Sequence, residues 1–563
     1  MERCVMSRAS VLAASVLVLV LLPSAGVLAS WQVNGNPISL ATGNQSSPQI
    51  TSDGAGGAII TWADNRSGNY DIYAQRVNAS GVVQWAANGV AICSATGDQY
   101  FPAIVSDGAG GAIVTWEDYG LYVHAQRVDA SGAVQWSDGG VVLSTATGYV
   151  QNSRGIFDGA GGAIVTWQGF NGSDLDVYAQ RVDASGAVQW TTDGVAICTA
   201  TGDQEHPAIT SDGAGGAIVT WDDGRGNQDI YAQRVIASGA VEWTADGVAL
   251  CAASGPQQYP AITSDDAGGA IVSWMDGRDV GTWDIYAQRV DASGAVQWIG
   301  NGMALCTAAG NQGSAVITSD GVGGVIVAWS DGRSGDPVNY DIYAQYVNAS
   351  GAVQWTADGV ALCTAAGDQE LPAIVSDAAG GAIVAWSDGR SDDPVNYDVY
   401  AQRVNPSGAI QWTANGAPVC TATGDQLLPA IISDGAGGPI GAWEDRRSGN
   451  FDIYAGLVQG VSVTDAPYAG VAVGVLSQNY PNPFNPATLI KFSVRAPGDV
   501  TLRICDVEGR ALRTLVDGWR GPGEYRVMWD GKRDDGTAVA SGIYFYRLET
   551  GGLTATRKMV LLK

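Results

Sequence analysis

Cations are what this chain has least of. Against 56 aspartates and glutamates stand 29 lysines and arginines and two histidines, for a formal charge of −27. Phosphate binding needs clustered Lys and Arg, so nucleic acid and anionic membrane surfaces are excluded as partners, and the surplus acid reads as a solubility device. Metal-binding cysteine patterns are missing too. No Cys-x-x-Cys and no Cys/His cluster occurs, so no metal is expected on that ground. Six of the eight cysteines (Cys93, Cys198, Cys251, Cys306, Cys363, Cys420) recur at one repeat position, which Ser39 and Ser144 fill elsewhere. Equivalent positions in successive repeats lie beyond the ~7 Å Cα limit of a disulfide, so free, buried thiols are expected. After the N-terminus no run is long and apolar enough to span a bilayer, so the chain is not expected to be an integral membrane protein. The two histidines form no pair: His124 stands where other repeats carry Tyr, and His206 has no partner visible in the sequence.

What is abundant is periodic. Sixteen of the nineteen tryptophans form two ladders: Trp31, Trp85, Trp136, Trp190, Trp243, Trp298, Trp355 and Trp412, then Trp62, Trp116, Trp167, Trp221, Trp274, Trp329, Trp386 and Trp443. Subtracting neighbours gives the same steps in both, 54, 51, 54, 53, 55, 57 and 57 residues. Each repeat holds four short β-branched or aromatic runs, a to d, punctuated by Asp-Gly-x-Gly-Gly and Ala-Ser-Gly turns. The array opens at Trp31 on a d-type segment and ends near Val458 on a c-type one, so each end holds what the other lacks. A ring closed by the N-terminal strand completes every sheet, whereas an open solenoid leaves two raw edges. The expected fold class is all-β: an eight-bladed β-propeller closed by the N-terminal strand, followed by a small Ig-like β-sandwich. Both ladders then pack between blades, each indole burying roughly 150–250 Å².

Four segments follow. Residues 1–29 read as a secretory signal peptide, with an apolar run from Ala9 to Leu22 and cleavage between Ala29 and Ser30. Residues 30–459 are the array, 460–475 a Gly/Val/Ala linker, and 476–563 a C-terminal module.

From each first-ladder Trp to the next second-ladder Trp is always 31 residues, so length varies only in the loop between b and c. Variable loops on one face are where repeat proteins bind. The expected binding residues are therefore Arg66 with Tyr70, Arg278 with Trp283, Arg333 with Tyr340, Arg390 with Tyr397, and Phe451. An aromatic beside charged groups stacks on a sugar or engages a protein side chain, and a local Asp–Arg pair that pins the loop is the structural alternative. Several loop oxygens together admit Ca²⁺, which the central Arg opposes, so no cofactor is expected. Catalysis needs an asymmetric cluster of groups, and the repeats offer none in sequence, so the chain is not expected to be an enzyme. A glycan-active hydrolase or lyase using loop carboxylates, and a structural surface protein, are the rival readings.

The C-terminal module alternates through 489–494, 500–504 and 525–529 as a small antiparallel sandwich. Its Asn479-Tyr-Pro481-Asn-Pro483-Phe484-Asn485-Pro486 run, its Gly542-Ile-Tyr544 strand and its ending from Lys558 to Lys563 resemble the C-terminal sorting domain of type IX secretion cargo, close to the Ig-like domain of flagellar hook-capping proteins. The resemblance covers the last sixth of the chain. It implies delivery to the exterior or surface of a Gram-negative cell through the outer-membrane secretion machinery. The expectation is an exported propeller that binds glycan or protein by its variable loop face.

Overall fold

The computed structural model describes residues 31–460 apart from 120, 146–147, 280, 336–338, 391–395 and 434–437, together with 476, 479, 482, 484–494, 498–506, 510–520, 523–550 and 553–562. The expected signal peptide with Ala29 and Ser30, the expected linker after 460, Pro481, Pro483 and Lys563 lie outside the described residues. Two compact units emerge, Met1–Ile410 with Asn415–Gln459, and Gln411–Ala414 with Gly460–Lys563. No α-helix occurs among the described residues, and hence no helix long and apolar enough to cross a membrane.

In the first unit the described strands form eight four-stranded antiparallel sheets. Sheet 1 consists of a (Gln45–Ser52), b (Ala58–Asp64), c (Asp71–Val77) and d (Val90–Cys93), side by side in chain order. Sheets 2 to 7 repeat that order from their a strands at Gln99–Ser106, Val150–Phe157, Gln204–Ser211, Gln257–Ser264, Gln312–Ser319 and Gln369–Ser376. Sheet 8 takes a, b and c from Gln426–Ser433, Pro439–Asp445 and Asp452–Leu457, and its fourth strand is Asn36–Ser39, paired antiparallel to c. Each a strand lies against the a strand of the next sheet, and that of sheet 8 lies against that of sheet 1.

The b strands carry the Ala-Ile-Val-Thr-Trp type of run and are buried along nearly their whole length, which suits β-branched residues with neighbours on both faces. The turn from a to b is shaped by its aspartate. Asp53 Oδ1 accepts from the amides of Ala55 and Gly57 at 2.8 Å each, while its Oδ2 takes Arg76 Nη2 at 2.9 Å. Arg76 Nη1 reaches on to the Ala130 carbonyl of the following repeat at 3.0 Å, so one residue closes a turn and ties two sheets. Only glycine fits at position 57, because a Cβ there would lie 2.2 Å from the Val77 carbonyl oxygen.

The two tryptophan ladders differ. The second ladder is fully buried, all eight indoles being at most 1 % exposed. The first does not sit on the d strands, where it is expected. Its members lie ahead of them in the c–d connection, as Trp85 before Val90–Cys93, and they are only partly covered at Trp31, Trp136, Trp243 and Trp298. There the indole N–H groups from Trp31 to Trp355 cap the next repeat, Trp85 Nε1 donating to the Ala130 carbonyl at 3.1 Å and Trp190 Nε1 to that of Ala237 at 3.2 Å.

The second unit pairs a four-stranded sheet, in the order Ala511–Arg520, Gly498–Cys505, Gly542–Thr550 and Leu553–Leu561, with a two-stranded one, Thr488–Val494 and Gly523–Trp529. Ile490, Phe492, Leu502, Trp529, Tyr546 and Met559 form its core. The described residues of the run expected to be a sorting motif are built into this packing. Phe484 is buried and bridges Leu561, the Asn479 amide donates to the Tyr546 hydroxyl at 2.8 Å, and the Tyr544 hydroxyl donates to the Ala540 carbonyl at 2.7 Å. Gly542 opens a strand, Lys558 is exposed on the last one, and Asn485–Pro486 follow Phe484 at the sheet edge.

Replacing Trp221 with Ala is expected to cost about 3–5 kcal/mol, by creating a cavity and stripping Asp223 of a donor, and Trp243→Ala about half of that or less. Denaturant unfolding of the two variants measures the difference.

Candidate functional site

The arginines of the b–c loops are occupied. Arg66, Arg225, Arg278, Arg333, Arg390 and Arg447 each lie 3.7–4.0 Å over the ring of the c-strand tyrosine. Each also forks onto the aspartate that ends strand b, as Arg225 does with Asp223 (Nε to Oδ1 2.8 Å, Nη2 to Oδ2 2.7 Å). The same Asp223 accepts the Trp221 indole N–H at 2.8 Å, and Arg225 Nη2 goes on to the Asp246 carbonyl at 2.7 Å and Cys198 Sγ at 3.2 Å. Indole, carboxylate, guanidinium, phenol ring and thiol thus form one latch between successive sheets. Burial pushes the Cys198 thiol up to about 12, which makes it an inert packing group. Arg66, Arg278, Arg333 and Arg390, all expected to bind ligand, spend their donors inside such latches.

The loop aromatics divide. The backbone carbonyls of Tyr70, Trp283, Tyr340, Tyr397 and Phe451 all accept from the first amide of the next a strand, at 2.6–2.7 Å. Tyr70 stacks against Tyr100 at 5.0 Å, and Phe451 lies 5.4 Å from the Arg446 guanidinium. Trp283 and Tyr340 share the lining of a cavity of about 490 Å³, with Tyr259, Asn311, Gln312, Ser330, Glu370 and Leu371.

The head of that cavity is built from residues that loop length does not reveal. Every a strand carries a bulge at its third residue, which adopts positive φ: Ser47, Phe101, Asn152, His206, Tyr259, Ser314, Leu371 and Leu428, at 51–57°. Left-handed backbone is uncommon for aromatic and branched residues, and bulges re-aim side chains. The displaced amide here or next in line is caught by the residue after the second-ladder Trp of the preceding sheet. Glu444 Oε1 takes Ser47 N at 2.7 Å, Glu117 Oε1 takes Ser153 N at 3.0 Å, and Gln168 Oε1 takes His206 N at 2.8 Å.

At the junction of sheets 3, 4 and 5 these positions bear ionisable groups. His206 Nδ1 lies 3.0 Å from Asp222 Oδ1, and the His206 ring packs 4.4 Å from that of Tyr259. Asp222 is 1 % exposed, so its carboxylate is fixed beneath a partly open imidazole. Burial lowers the His206 pKa, but the hydrogen bond and charge of Asp222 outweigh it and the net shift is upward. Nearby, Arg154 projects from the a strand of sheet 3 where other sheets carry Gln49, alanine or Val316, and its charge acts on both His206 and Glu117. Glu117 is buried, and desolvation pushes its carboxyl up to about 7.

This set can transfer protons: an imidazole oriented through Nδ1 by a buried carboxylate, a phenol beside it, a guanidinium, and an aromatic trough leading away. Glu205, His206 and Asp222 also present ligand atoms within 4.8 Å of one another, the one such group among the described residues able to hold a metal ion. His124, by contrast, stacks on Trp116 at 5.5 Å and lies 3.7 Å from Asp118, taking the place of a latch tyrosine.

Residues 486–552 match the family model described as the FlgD Ig-like domain. No curated protein matches the chain. Among solved structures, a polysaccharide lyase described as an ulvan lyase is 10 % identical, with a TM-score of 0.41, over 64 % of this chain and 93 % of its own. An α-L-arabinanase of Penicillium chrysogenum is 11 % identical (TM-score 0.30; 57 % of this chain, 98 % of its own). An endo-arabinase of Bacteroides thetaiotaomicron is 14 % identical (TM-score 0.26; 46 % and 98 %). The expectation that the chain is not an enzyme is corrected by this comparison: the three structures named are a polysaccharide lyase, an arabinanase and an endo-arabinase, so catalysis is not set aside.

The raised acid of Glu117 has a sign. A carboxyl that titrates near 7 folded and near 4.5 unfolded contributes its stability below 4.5 and loses it as pH rises through 7. Glu117→Gln keeps the acceptor for Ser153, so at about pH 8 it is expected to unfold with ~3 kcal/mol more stability than the parent. Below about pH 4.5 the two are expected to coincide, and denaturant titrations at both values check this.

Proposed function

We propose that the first unit is an eight-bladed β-propeller and that the cleft at its loop face cleaves an acidic polysaccharide by β-elimination. Two observations support the ring: strand Asn36–Ser39 completes sheet 8, and the a strand of sheet 8 lies against that of sheet 1. The observation that carries the chemistry is the Asp222–His206 pair packed against Tyr259, a residue that itself lines the cavity shared by Trp283 and Tyr340.

Elimination from a uronate needs a base for the proton α to the ring carboxylate, a cation to neutralise that carboxylate, and an acid for the leaving oxygen. Held through Nδ1, His206 has Nε2 free to take the α proton. The electron pair forms the ring double bond, the glycosidic C–O bond breaks, and the Tyr259 hydroxyl protonates the departing oxygen. Arg154 offsets the carboxylate charge, a role that stands out in a chain of net charge −27. Trp283 and Tyr340 give the neighbouring sugars faces to stack on. Retaining or inverting hydrolysis asks instead for two carboxylates flanking the bond. Here Asp222 is spent on His206 and Glu117 on the Ser153 amide. The N-terminal segment and the Ig-like module are read as export and delivery signals that carry this activity to the cell exterior.

Purified protein incubated with uronate-containing polysaccharides is expected to generate the ultraviolet absorbance of a ring double bond. His206→Ala should lower that rate by about 10²-fold or more in a variant that stays folded, with its melting temperature lowered by the lost partner of buried Asp222. Reducing ends released without new absorbance, or an undiminished His206→Ala rate, would refute elimination at this site.

A further inference from the structure

Six of the eight sheets carry the full Asp–Arg latch among the described residues. Sheet 3 has lost both charged members: Gly169 stands where its sisters have aspartate and Asn171 where they have arginine. The remainder of the socket is kept. Trp167 and Tyr178 are stacked at 6.3 Å, as Trp221 and Tyr231 are at 6.4 Å. Asp193, followed by a positive-φ glycine, supplies the backbone carbonyl at the position where Asn88, Asp246 and Asn301 accept from a latch arginine. Ser144 replaces the cysteine. The vacated space is a cavity of about 320 Å³ lined by Trp167, Gly169, Asn171, Tyr178 and Asp193 among others.

Negative charge remains beside it. Asp176, 2 % exposed, accepts from Asn171 Nδ2 at 2.8 Å and the Tyr178 hydroxyl at 3.0 Å through Oδ2, and its buried Oδ1 has no partner. In the six sister sites a tyrosine face and a carbonyl acceptor hold a guanidinium together with the aspartate that Gly169 replaces here, so in sheet 3 the face and the carbonyl remain and Asp176 is the nearby carboxylate, of a kind whose unpartnered oxygen recurs at Asp229, Asp284 and Asp398.

We propose that this cavity is a receptor for a guanidinium group from outside the chain, seated over Tyr178 as Arg225 sits over Tyr231. The source is either a small guanidino compound or an arginine side chain of another protein. The site does not depend on the elimination reading.

Refilling the socket from within tests it. A Cβ at Gly169 would make ordinary contacts, 3.5 Å to Tyr178 and 3.6 Å to Trp167 Nε1, so the sister residues fit. Calorimetric titration of the full chain with agmatine, with a capped Gly-Arg-Gly peptide and with n-butylamine is the measurement. Agmatine is expected to bind with a millimolar or tighter constant and butylamine at least about tenfold more weakly. Peptide binding as tight as agmatine's points to a protein arginine, and agmatine alone to a small molecule. The variant Gly169→Asp/Asn171→Arg should melt higher and lose agmatine binding by at least about tenfold. As a converse that needs no refilling, Arg225→Ala should open a second socket in which agmatine raises the melting temperature more than in the parent. No agmatine binding by the parent chain, equal affinity for butylamine, or equal binding by the refilled variant would overturn the proposal.

Discussion

The array of sheets depends on a pairing between strands more than four hundred residues apart. Asn36, Pro37 and Ser39 stand opposite Ala455, Tyr454 and Ile453, and without them sheet 8 would end on a bare edge. More than backbone is matched. The Asn34 carbonyl accepts from Arg447 at 2.7 Å and the Asn34 side chain accepts from Thr421 N at 3.0 Å, which reproduces across the chain ends what Asn415 does for Arg390 and Thr364 within the array. Residues 31–39 are therefore a d segment in the same register as the others, placed first in the chain.

With that pairing in place, three kinds of tie recur between neighbouring sheets: the turn aspartate and its arginine, the indole cap of the first ladder, and, at six of the eight sheets, the latch of the second. These interactions recur because they are structural, and the unlike, ionisable side chains gather where they do not recur. Sheet 4 puts Asp222 where other repeats have Ala63 or Ser330, and a histidine at the bulge. Sheet 3 adds Arg154 and omits the latch. The scaffold holds backbone positions constant, so single substitutions can gather unlike side chains at one junction without disturbing the strands around them.

The periodic content was legible in the chain itself: two ladders in step, four strands per repeat, a d segment ahead of the array and a c strand at its end. Such features depend on spacing, and spacing is one-dimensional. The differing burial of the ladders was hidden, because Trp85 and Trp116 look alike until one lies in a connection and the other inside a sheet. The loop arginines were ambiguous for a related reason. Asp64-Asn65-Arg66 reads equally as a binding loop or as a fork closed on itself, and only the nearby Tyr73 ring and Asn88 carbonyl decide. His206 looked solitary because Asp222 lies on another strand and Tyr259 in another sheet. A clue was present in the constant 31-residue interval, where side-chain identity changes while length does not.

Amide hydrogen exchange along Asn36–Ser39, compared with Ile453–Ala455, tests the central claim most directly. If the chain ends complete one sheet, the amides of Asn36, Ile38 and Ser39 should exchange only through the same cooperative opening as those of strand c, with matching protection. Exchange of the N-terminal amides within seconds, while Ile453 to Ala455 stay protected, would contradict the proposed closed array and the single face proposed for the cleft.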